Sequence, residues 1–213
     1  MQWPSIQEIS AMTPLPEGYR YEYLRRADIG PLIEGLREWF PSVEAGVEGC
    51  YFTEPFYLDN VVIDDETDRD VLVWLVKKGD ELAGMASWER ESVAMTLYAR
   101  LGAIAPAHRG TGLAVLTMDV GEKMGRAMGA GFIYGLATMK MPQMQRALEH
   151  AGYQLIGFIP GADRDEVSPG VVKRIFEAVY AMQLAPAEEF SRPEDKNMTP
   201  NVKRLFDIIF RPK

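Results

Sequence analysis

The chain has 213 residues, of which 47% are hydrophobic and 25% are charged, a composition typical of a globular protein with an apolar core. Its formal net charge of −8 argues against nucleic acid as a main partner, because Lys and Arg supply the contacts to phosphates. Cys50 is the one cysteine, which excludes a disulfide framework, and no uncharged apolar stretch approaches the roughly 18 residues of a membrane span. The amino terminus lacks the basic start and apolar run of a signal peptide, so we expect a cytoplasmic protein without a membrane partner.

The first half of the chain predicts a lead-in, a strand, a helix and a hairpin. Residues 1–18 contain three prolines and predict a loose lead-in. Residues 19–24 predict a strand, and residues 31–40 carry apolar side chains at helical spacing. The apolar run 71–76, a Lys-Lys-Gly-Asp turn and the run 81–88 predict a hairpin.

The second half alternates strands and helices. Residues 95–103 predict a strand whose odd-numbered side chains all point one way. A helix over 112–128 follows, with Leu113, Leu116, Val120, Met124 and Ala127 as its buried stripe. The expected elements after it are a strand over 132–139, a helix from Pro142 to Gly152, strands over 153–159 and 171–184, and a terminal helix capped by Thr199. The order strand, helix, strand predicts a parallel pair at the first crossover.

A turn with two glycines lies between the strand 95–103 and the helix that follows it. A glycine lacks the Cβ atom that would block a close approach, and the start of a helix carries a positive partial charge. The backbone N–H groups of residues 109–114 therefore predict a seat for a phosphate or pyrophosphate. No lysine follows the glycines as in a Walker loop, and the third glycine of a dinucleotide fingerprint is absent.

Arg109, Gly112 and Ala114 form the pattern Arg-x-x-Gly-x-Ala, which resembles the pyrophosphate loop of the GNAT superfamily of N-acetyltransferases. The segment ALEHAGYQLIGF resembles the helix, glycine, aromatic residue and strand that close the cofactor site of that family. Both segments occur in the family's order along the chain. The resemblance implies an α/β fold with a mixed, mostly antiparallel central sheet, a parallel central pair, flanking helices and a C-terminal helical extension.

The resemblance also implies an organisation and an activity. We expect a lead-in over 1–18, an acyltransferase core over 19–162, and an extension over 163–213 that supplies a final strand and a terminal helix packed on the same domain. The implied reaction is direct transfer of an acetyl or other short acyl group from acyl-CoA to a primary amine of a small molecule or peptide. The residues implied to bind acetyl-CoA or another acyl-CoA are Ile104, Arg109, Gly110, Thr111, Gly112, Leu113, Ala114 and Met141.

Two positions on the central strand are candidates for catalysis. Tyr98 and Arg100 stand where relatives carry a glutamate or histidines. A tyrosine with its ordinary pKa near 10 is a poor base, so Tyr98 either orients the amine or polarises the thioester oxygen, or packs as a core ring. Arg100 cannot act as a base, and it either holds an anionic group of the substrate or pairs with a protein carboxylate.

The sequence also departs from the family. Leu148 stands where many relatives place the tyrosine that protonates the CoA sulfur, so either Tyr134, Tyr98 or water supplies this proton, or catalysis is weak. The missing tyrosine favours, as an alternative, an acyl-CoA-binding sensor or subunit with weak or no catalysis. Five acidic residues between Asp64 and Asp70 lack the glycine and final glutamate of a calcium loop, so no metal is expected. A homodimer remains open at this level.

Overall fold

The computed structural model describes residues 1–64, 66 and 68–210 and consists of one seven-stranded sheet flanked by helices. The strands are β1 Tyr19–Tyr23, β2 Val71–Lys78, β3 Glu81–Glu91, β4 Thr96–Ile104, β5 Phe132–Thr138, β6 Gln154–Ser168 and β7 Val171–Gln183. The α-helices are α1 Ile6–Met12, α2 Ile29–Trp39, α3 Glu54–Asn60, α4 Leu113–Ala127, α5 Gln143–His150 and α6 Pro200–Ile209.

The strand order across the sheet is β1-β2-β3-β4-β5-β7-β6. All neighbouring strands are antiparallel except β4 and β5, which are parallel and are connected through α4. The expected mixed sheet, its hairpin of β2 and β3, and its central parallel pair are therefore confirmed.

The sheet is covered on both faces. One core contains residues of α1, α4 and α5, and it includes Trp74, Trp88 and Leu97 among its buried side chains. The other core lies beneath α2 and α3 and includes Val73 and Met85. In the sections below, these two sides are called the α4 face and the α2 face.

Helix α4 approaches the sheet closely because two of its buried residues are glycines. A Cβ atom on Gly121 would overlap the indole ring of Trp88, and one on Gly125 would lie 2.5 Å from Leu184 Cδ1. The expected buried stripe is confirmed at Leu113, Val120 and Met124, whereas Leu116 is only half-buried and Ala127 is exposed.

Strand β4 changes faces in its middle. Ser87 of β3 pairs with Leu101 and Trp88 pairs with Ala99, so Arg100 is an extra residue without a partner on β3, a β-bulge. Leu97 and Ala99 pack in the core of the α4 face, but Leu101 and Ala103 pack in the core of the α2 face. The expectation that all odd-numbered side chains share one face is therefore wrong beyond the bulge. Met95, expected at the start of the strand, lies in the turn before it with a φ of +52°.

The first 18 residues are ordered, contrary to the expected loose lead-in. Ser5 and Glu8 cap α1 reciprocally, and Ile9 is fully buried against the sheet. Thr13 then donates a hydrogen bond to Asp119 of α4 (2.6 Å), and Lys123 donates to the carbonyl of Met12 (2.8 Å). The sequence pattern missed this helix because it is short and only one of its residues is buried.

The C-terminal part of the chain begins inside the sheet. Strand β6 continues through Pro160 and Gly161 to Ser168, because its register with β7 shifts there instead of ending. The expected division at residue 162 therefore lies within a strand. Helix α6 is capped by Thr199 as expected, but none of its residues is buried: its apolar side chains Val202 and Leu205 are 53% and 56% exposed.

Replacing Gly121 by alanine tests the contact between α4 and β3. The added methyl group overlaps Trp88, so we expect a loss of about 1–3 kcal/mol in the free energy of unfolding, as for other overpacked sites. Gly30→Ala is the matched control on α2, because no atom lies within 4 Å of its Cβ position. It should be neutral or stabilise by up to about 1 kcal/mol. Urea unfolding measures both, and equal effects would contradict the packing described.

Candidate functional site

The turn before α4 presents free backbone N–H groups. Gly110 and Gly112 have φ values of +79° and +85°, and no atom lies within 4 Å of where their Cβ atoms would be. Within the described residues, no hydrogen bond uses the N–H groups of 110–114 as donors, and α4 has no side-chain cap at its start. The backbone thus offers a run of donors at the positive end of a 15-residue helix, an arrangement suited to a phosphate group.

The surroundings of this turn hold it in place. Arg109 donates its own N–H to the carbonyl of Pro106 (3.3 Å), so the free donors begin at Gly110. Its guanidinium donates to the carbonyl oxygens of Ile104 (3.2 Å) and Trp39 (3.3 Å). The Thr111 hydroxyl donates to the carbonyl of His108 (2.7 Å). Arg109 therefore ties the turn to β4 and α2.

A cleft opens between β4 and β5 on the carboxyl side of their pairing. Their register ends at Ala99 and Gly135, although β4 continues to Ile104 and β5 to Thr138. Ala105 donates its N–H to the carbonyl of Ala83 on β3 (2.9 Å). Because successive N–H groups of a strand point to opposite sides, those of Gly102 and Ile104 point away from β3, into the cleft.

The inner end of the cleft is apolar. A cavity of about 20 Å³ lies there between the two strands and the helices α4 and α5. The Met144 Cε atom would lie 3.2 Å from a Cβ atom on Gly102, and Met118 Cε would lie 3.9 Å from it. Leu148 also lines the cavity and is 1% exposed. Flexible thioether side chains thus fill the space next to the free N–H groups of β4.

On the α2 face, Tyr98 of β4 stacks on Tyr134 of β5, with ring centroids 4.8 Å apart and planes at 13°. Burial raises the pKa of the Tyr98 hydroxyl above its ordinary value, and the nearby charge of Glu48 adds to this. Burial likewise raises the pKa of Tyr134. Both phenols are therefore neutral near pH 7 and can donate a hydrogen bond but cannot act as bases.

Arg100 is engaged by protein carboxylates. Its guanidinium lies 3.1 Å from Glu48 and 3.3 Å from Glu89, and it stacks over the rings of Tyr51 and Phe56 at 5.4 and 5.5 Å. Its Nε atom is buried without a hydrogen-bond partner among the described residues. Of the two roles predicted for Arg100, the structure shows the ion pair with a protein carboxylate. Its role in binding an anionic group of the substrate stays a prediction.

Three carboxylates on this face are buried and were not expected from the sequence: Glu48, Asp165 and Glu177. Glu48 is 8% exposed, and burial raises its pKa although Arg100 opposes the rise. Glu177 of β7 is 6% exposed, and burial, with the charges of Asp163 and Asp165, raises its pKa to about 7. A signal existed for Glu177, since it is an acidic residue inside the apolar run Ile-Phe-Glu-Ala-Val. The segment around Glu48 had no periodicity that would place it.

The segment that carries Glu48 is held by the hairpin of β6 and β7. Val47 donates its N–H to the Asp163 carboxylate (2.7 Å). A Cβ atom on Gly46 would lie 2.6 Å from the carbonyl oxygen of Arg164, so this approach requires glycine. Residues 46–48 therefore pack against the hairpin on the α2 face. The region that holds the interacting carboxylates of Glu48, Asp163 and Glu177 is called the acidic pocket below.

Solved structures share the fold of this chain. A spermidine N-acetyltransferase from Vibrio cholerae in complex with CoA and spermine has a TM-score of 0.60 at 15% sequence identity, covering 79% of this chain and 97% of that chain. A dodecameric structure of spermidine N-acetyltransferase from the same organism has a TM-score of 0.58 at 15% identity, covering 84% and 100%. The ribosomal-protein alpha-N-acetyltransferase RimL has a TM-score of 0.56 at 12% identity, covering 81% and 97%. The chain has the GNAT fold. No family model and no curated protein matches its sequence.

The GNAT fold places the remaining expected residues as follows. Leu113 and Ala114 open α4 directly beyond the free N–H groups. Met141 lies between β5 and α5, 43% exposed, and its carbonyl accepts a hydrogen bond from Gln145. Contact of any of these residues with acyl-CoA stays a prediction.

Within the described residues, no cluster of His, Cys, Asp or Glu is suited to a metal ion. Of the acidic residues between Asp64 and Asp70, Asp65 lies outside the described residues. In the part of the chain that the structure covers, no helix combines the length and apolar character needed to cross a membrane.

Replacing Arg100 by methionine tests the buried ion pair. The variant leaves Glu48 buried without its cation. Breaking a buried ion pair in this way lowers the free energy of unfolding by about 3–5 kcal/mol. Because the pKa of folded Glu48 is raised above its unfolded value, its protonated form is favoured in the folded state and stability falls as pH rises. Loss of Arg100 raises that pKa further, so we expect a larger cost at pH 8 than at pH 5 in urea unfolding.

Arg90→Met is the matched control for this experiment. Arg90 pairs with Asp70 at 3.0 Å, but the side chain of Asp70 is 70% exposed, so its loss strands no buried charge. We expect a smaller cost that does not change between the two pH values. An equal cost of Arg100→Met at pH 5 and pH 8 would contradict the buried state of Glu48.

Proposed function

We propose that the protein is an N-acyltransferase that moves an acetyl or other short acyl group from acyl-CoA to a primary amine by direct transfer. The observation that carries this proposal is the run of free N–H groups at the start of α4, next to the cleft between β4 and β5. The two features are adjacent, and together they match an anionic pyrophosphate joined to an extended chain with amide groups.

Different residues bind the parts of the cofactor and assist the transfer. The N–H groups of 110–114 hold the pyrophosphate of acyl-CoA, and glycines at 110 and 112 keep side chains out of its way. The N–H groups of Gly102 and Ile104 donate hydrogen bonds to the carbonyl oxygens of the pantetheine arm. Tyr98, which stays neutral, donates a hydrogen bond to the thioester oxygen or to the departing sulfur. The amine then arrives from the α2 face.

The structural neighbours support this assignment at the level of the reaction class. One of them is a spermidine N-acetyltransferase in complex with CoA and spermine, and another acetylates a ribosomal protein. Both names describe transfer to an amine. The single cysteine of the chain suits the reducing cytoplasm in which we place the enzyme.

Gly112→Glu tests the pyrophosphate seat. The new side chain brings bulk, negative charge and a strained φ of +85° to the start of α4, so we expect CoA affinity to fall about 100-fold or more, in line with a loss of several charge-assisted hydrogen bonds. Isothermal titration calorimetry with CoA measures the change.

Gly79→Glu is the control for strain and charge. Gly79 also has a positive φ, +59°, with no atom within 4 Å of its Cβ position, but it lies in the exposed turn between β2 and β3. Its CoA affinity should equal that of the wild type. If Gly112→Glu also binds CoA like the wild type, the proposed seat is wrong.

A second candidate is an acyl-CoA-binding sensor or subunit without turnover. Leu148, buried at the cavity between the strands, favours it because no hydroxyl is present there to protonate the sulfur. Release of CoA from acetyl-CoA in the presence of a panel of primary amines, followed with a thiol reagent, separates the two candidates. We expect amine-dependent release, whereas tight CoA binding without release from any amine would support the sensor.

A further inference from the structure

Glu177 is a buried carboxylate for which the chain provides no counter-ion. The residue is 6% exposed, and no hydrogen bond or ion pair joins its carboxylate to another of the described residues. An unpaired buried carboxylate is costly in free energy, and proteins retain such groups mainly at functional sites. A ligand that brings a positive charge and hydrogen-bond donors would remove this cost.

The charged groups around Glu177 are mostly negative. The charge of Glu48, in the segment before α3, acts on the Glu177 carboxylate. The charges of Asp163 and Asp165, on β6, act on it as well. Two of the carboxylates in this region have a cation as partner: Arg100 pairs with Glu48 at 3.1 Å, and Lys140 pairs with Asp165 at 2.8 Å. Asp163 instead accepts hydrogen bonds from the backbone N–H groups of Val47 and Arg164. The pocket therefore has excess negative charge and attracts a cation.

The sheet register places Glu177 beside the cleft. It pairs with Thr138 at the end of β5, and Tyr134 pairs with Ala181, so Glu177 and Tyr134 share the α2 face. Tyr98 shares this face as well, and the charge of Glu177 contributes to the raised pKa of its hydroxyl. The carboxylate thus lies on the α2 face, from which we propose that the amine arrives. It is on the strand next to β5, level with Thr138, which is three residues beyond the last pair of β4 and β5.

We propose that Glu177 is the general base of the acyl transfer and that its carboxylate receives the ammonium group of a primary alkylamine acceptor. This inference rests on the proposed function. The ammonium group gives one proton to the Glu177 carboxylate, and the free amine forms a C–N bond to the thioester carbon. The C–S bond then breaks, the second proton of the nitrogen ends on the sulfur, and Glu177 releases its proton to water.

The other candidate bases are less suitable. Tyr98 and Tyr134 are neutral near pH 7, since the ordinary pKa of a phenol is near 10 and burial raises it further. Glu48 pairs with Arg100, whose guanidinium donates a hydrogen bond to its Oε2 atom (3.1 Å). Glu177 has no such partner, and its pKa of about 7 matches the requirement that a base be partly ionised at neutral pH and still bind a proton.

The excess negative charge also predicts which amines are accepted. An amine with a carboxylate close to its nitrogen would be repelled by Glu177, Glu48 and Asp163. Alkylamines and diamines without an anionic group avoid this repulsion, and the stacked rings of Tyr98 and Tyr134 provide an apolar, electron-rich wall for their chains. We therefore expect 1,4-diaminobutane to have a higher kcat/KM than glycine.

Glu177→Gln tests the assignment. With 1,4-diaminobutane and acetyl-CoA, we expect kcat to fall about 100-fold to 10,000-fold, the usual contribution of a general base. In the wild type, kcat/KM should rise with pH through an apparent pKa near 7, because the base must lose its proton, and this rise should be absent in Glu177→Gln. Glu177→Asp, which keeps the carboxylate, should retain intermediate activity and the rise. CoA affinity should stay within twofold of the wild type in both variants.

Glu188→Gln is the matched control, since it removes the same charge from an exposed position just beyond β7 and should leave kcat unchanged. Urea unfolding checks folding: the raised pKa of Glu177 means that wild-type stability falls as pH rises from about 4.5 to 7, so Glu177→Gln should be the more stable protein at pH 8. An unchanged kcat or pH profile in Glu177→Gln overturns the assignment, as does a wild type that binds CoA but acylates no amine. A wild type that fails to bind CoA overturns the proposed function instead.

Discussion

The β-bulge at Arg100 is the constraint on which the candidate site depends. One extra residue in β4, with no partner on β3, turns the side chains that follow it to the other face of the sheet. The pairing of β4 with β5 ends at Ala99, immediately before the bulge, and from there the backbone of β4 faces an open cleft. Arg100 lies on the α2 face by ordinary alternation from Tyr98, and its guanidinium contacts Glu48 and Glu89 there. The cleft and the ion-pair network therefore meet at this one residue of β4.

The sheet separates two binding environments of opposite charge preference. The start of α4 offers free N–H groups and the positive end of a helix dipole, which favour an anion. The pocket on the α2 face contains Glu48, Asp163 and Glu177, which favour a cation. A protein with a net charge of −8 cannot attract an anion by its overall field, so the attraction has to be local. Backbone donors meet this requirement without adding any basic side chain.

Local signals allowed much of the fold to be predicted from the sequence. The glycine turn before α4, the hairpin of β2 and β3 and the capped helix after Thr199 depend on residues close together in the chain, and each lies where expected. The features that the sequence did not predict depend instead on contacts between residues far apart in the chain. The bulge at Arg100 is a matter of register between two strands, and periodicity within one strand cannot reveal it. Helix α1 is held by contacts with α4, more than 100 residues away. Glu177 becomes a candidate only when β7 is placed beside β5.

The contact between Gly46 and the hairpin of β6 and β7 has a consequence for assembly. Val47 and Asp163, whose hydrogen bond fixes this contact, are 116 residues apart in the chain. A contact of such sequence separation closes a large loop, which costs more chain entropy than a local contact does. During synthesis, β4, α4 and β5 emerge before β6 and β7, so the glycine turn at α4 can form before the acidic pocket, which needs both of these later strands. The two faces of the sheet are therefore completed in a fixed order, with the acidic pocket second.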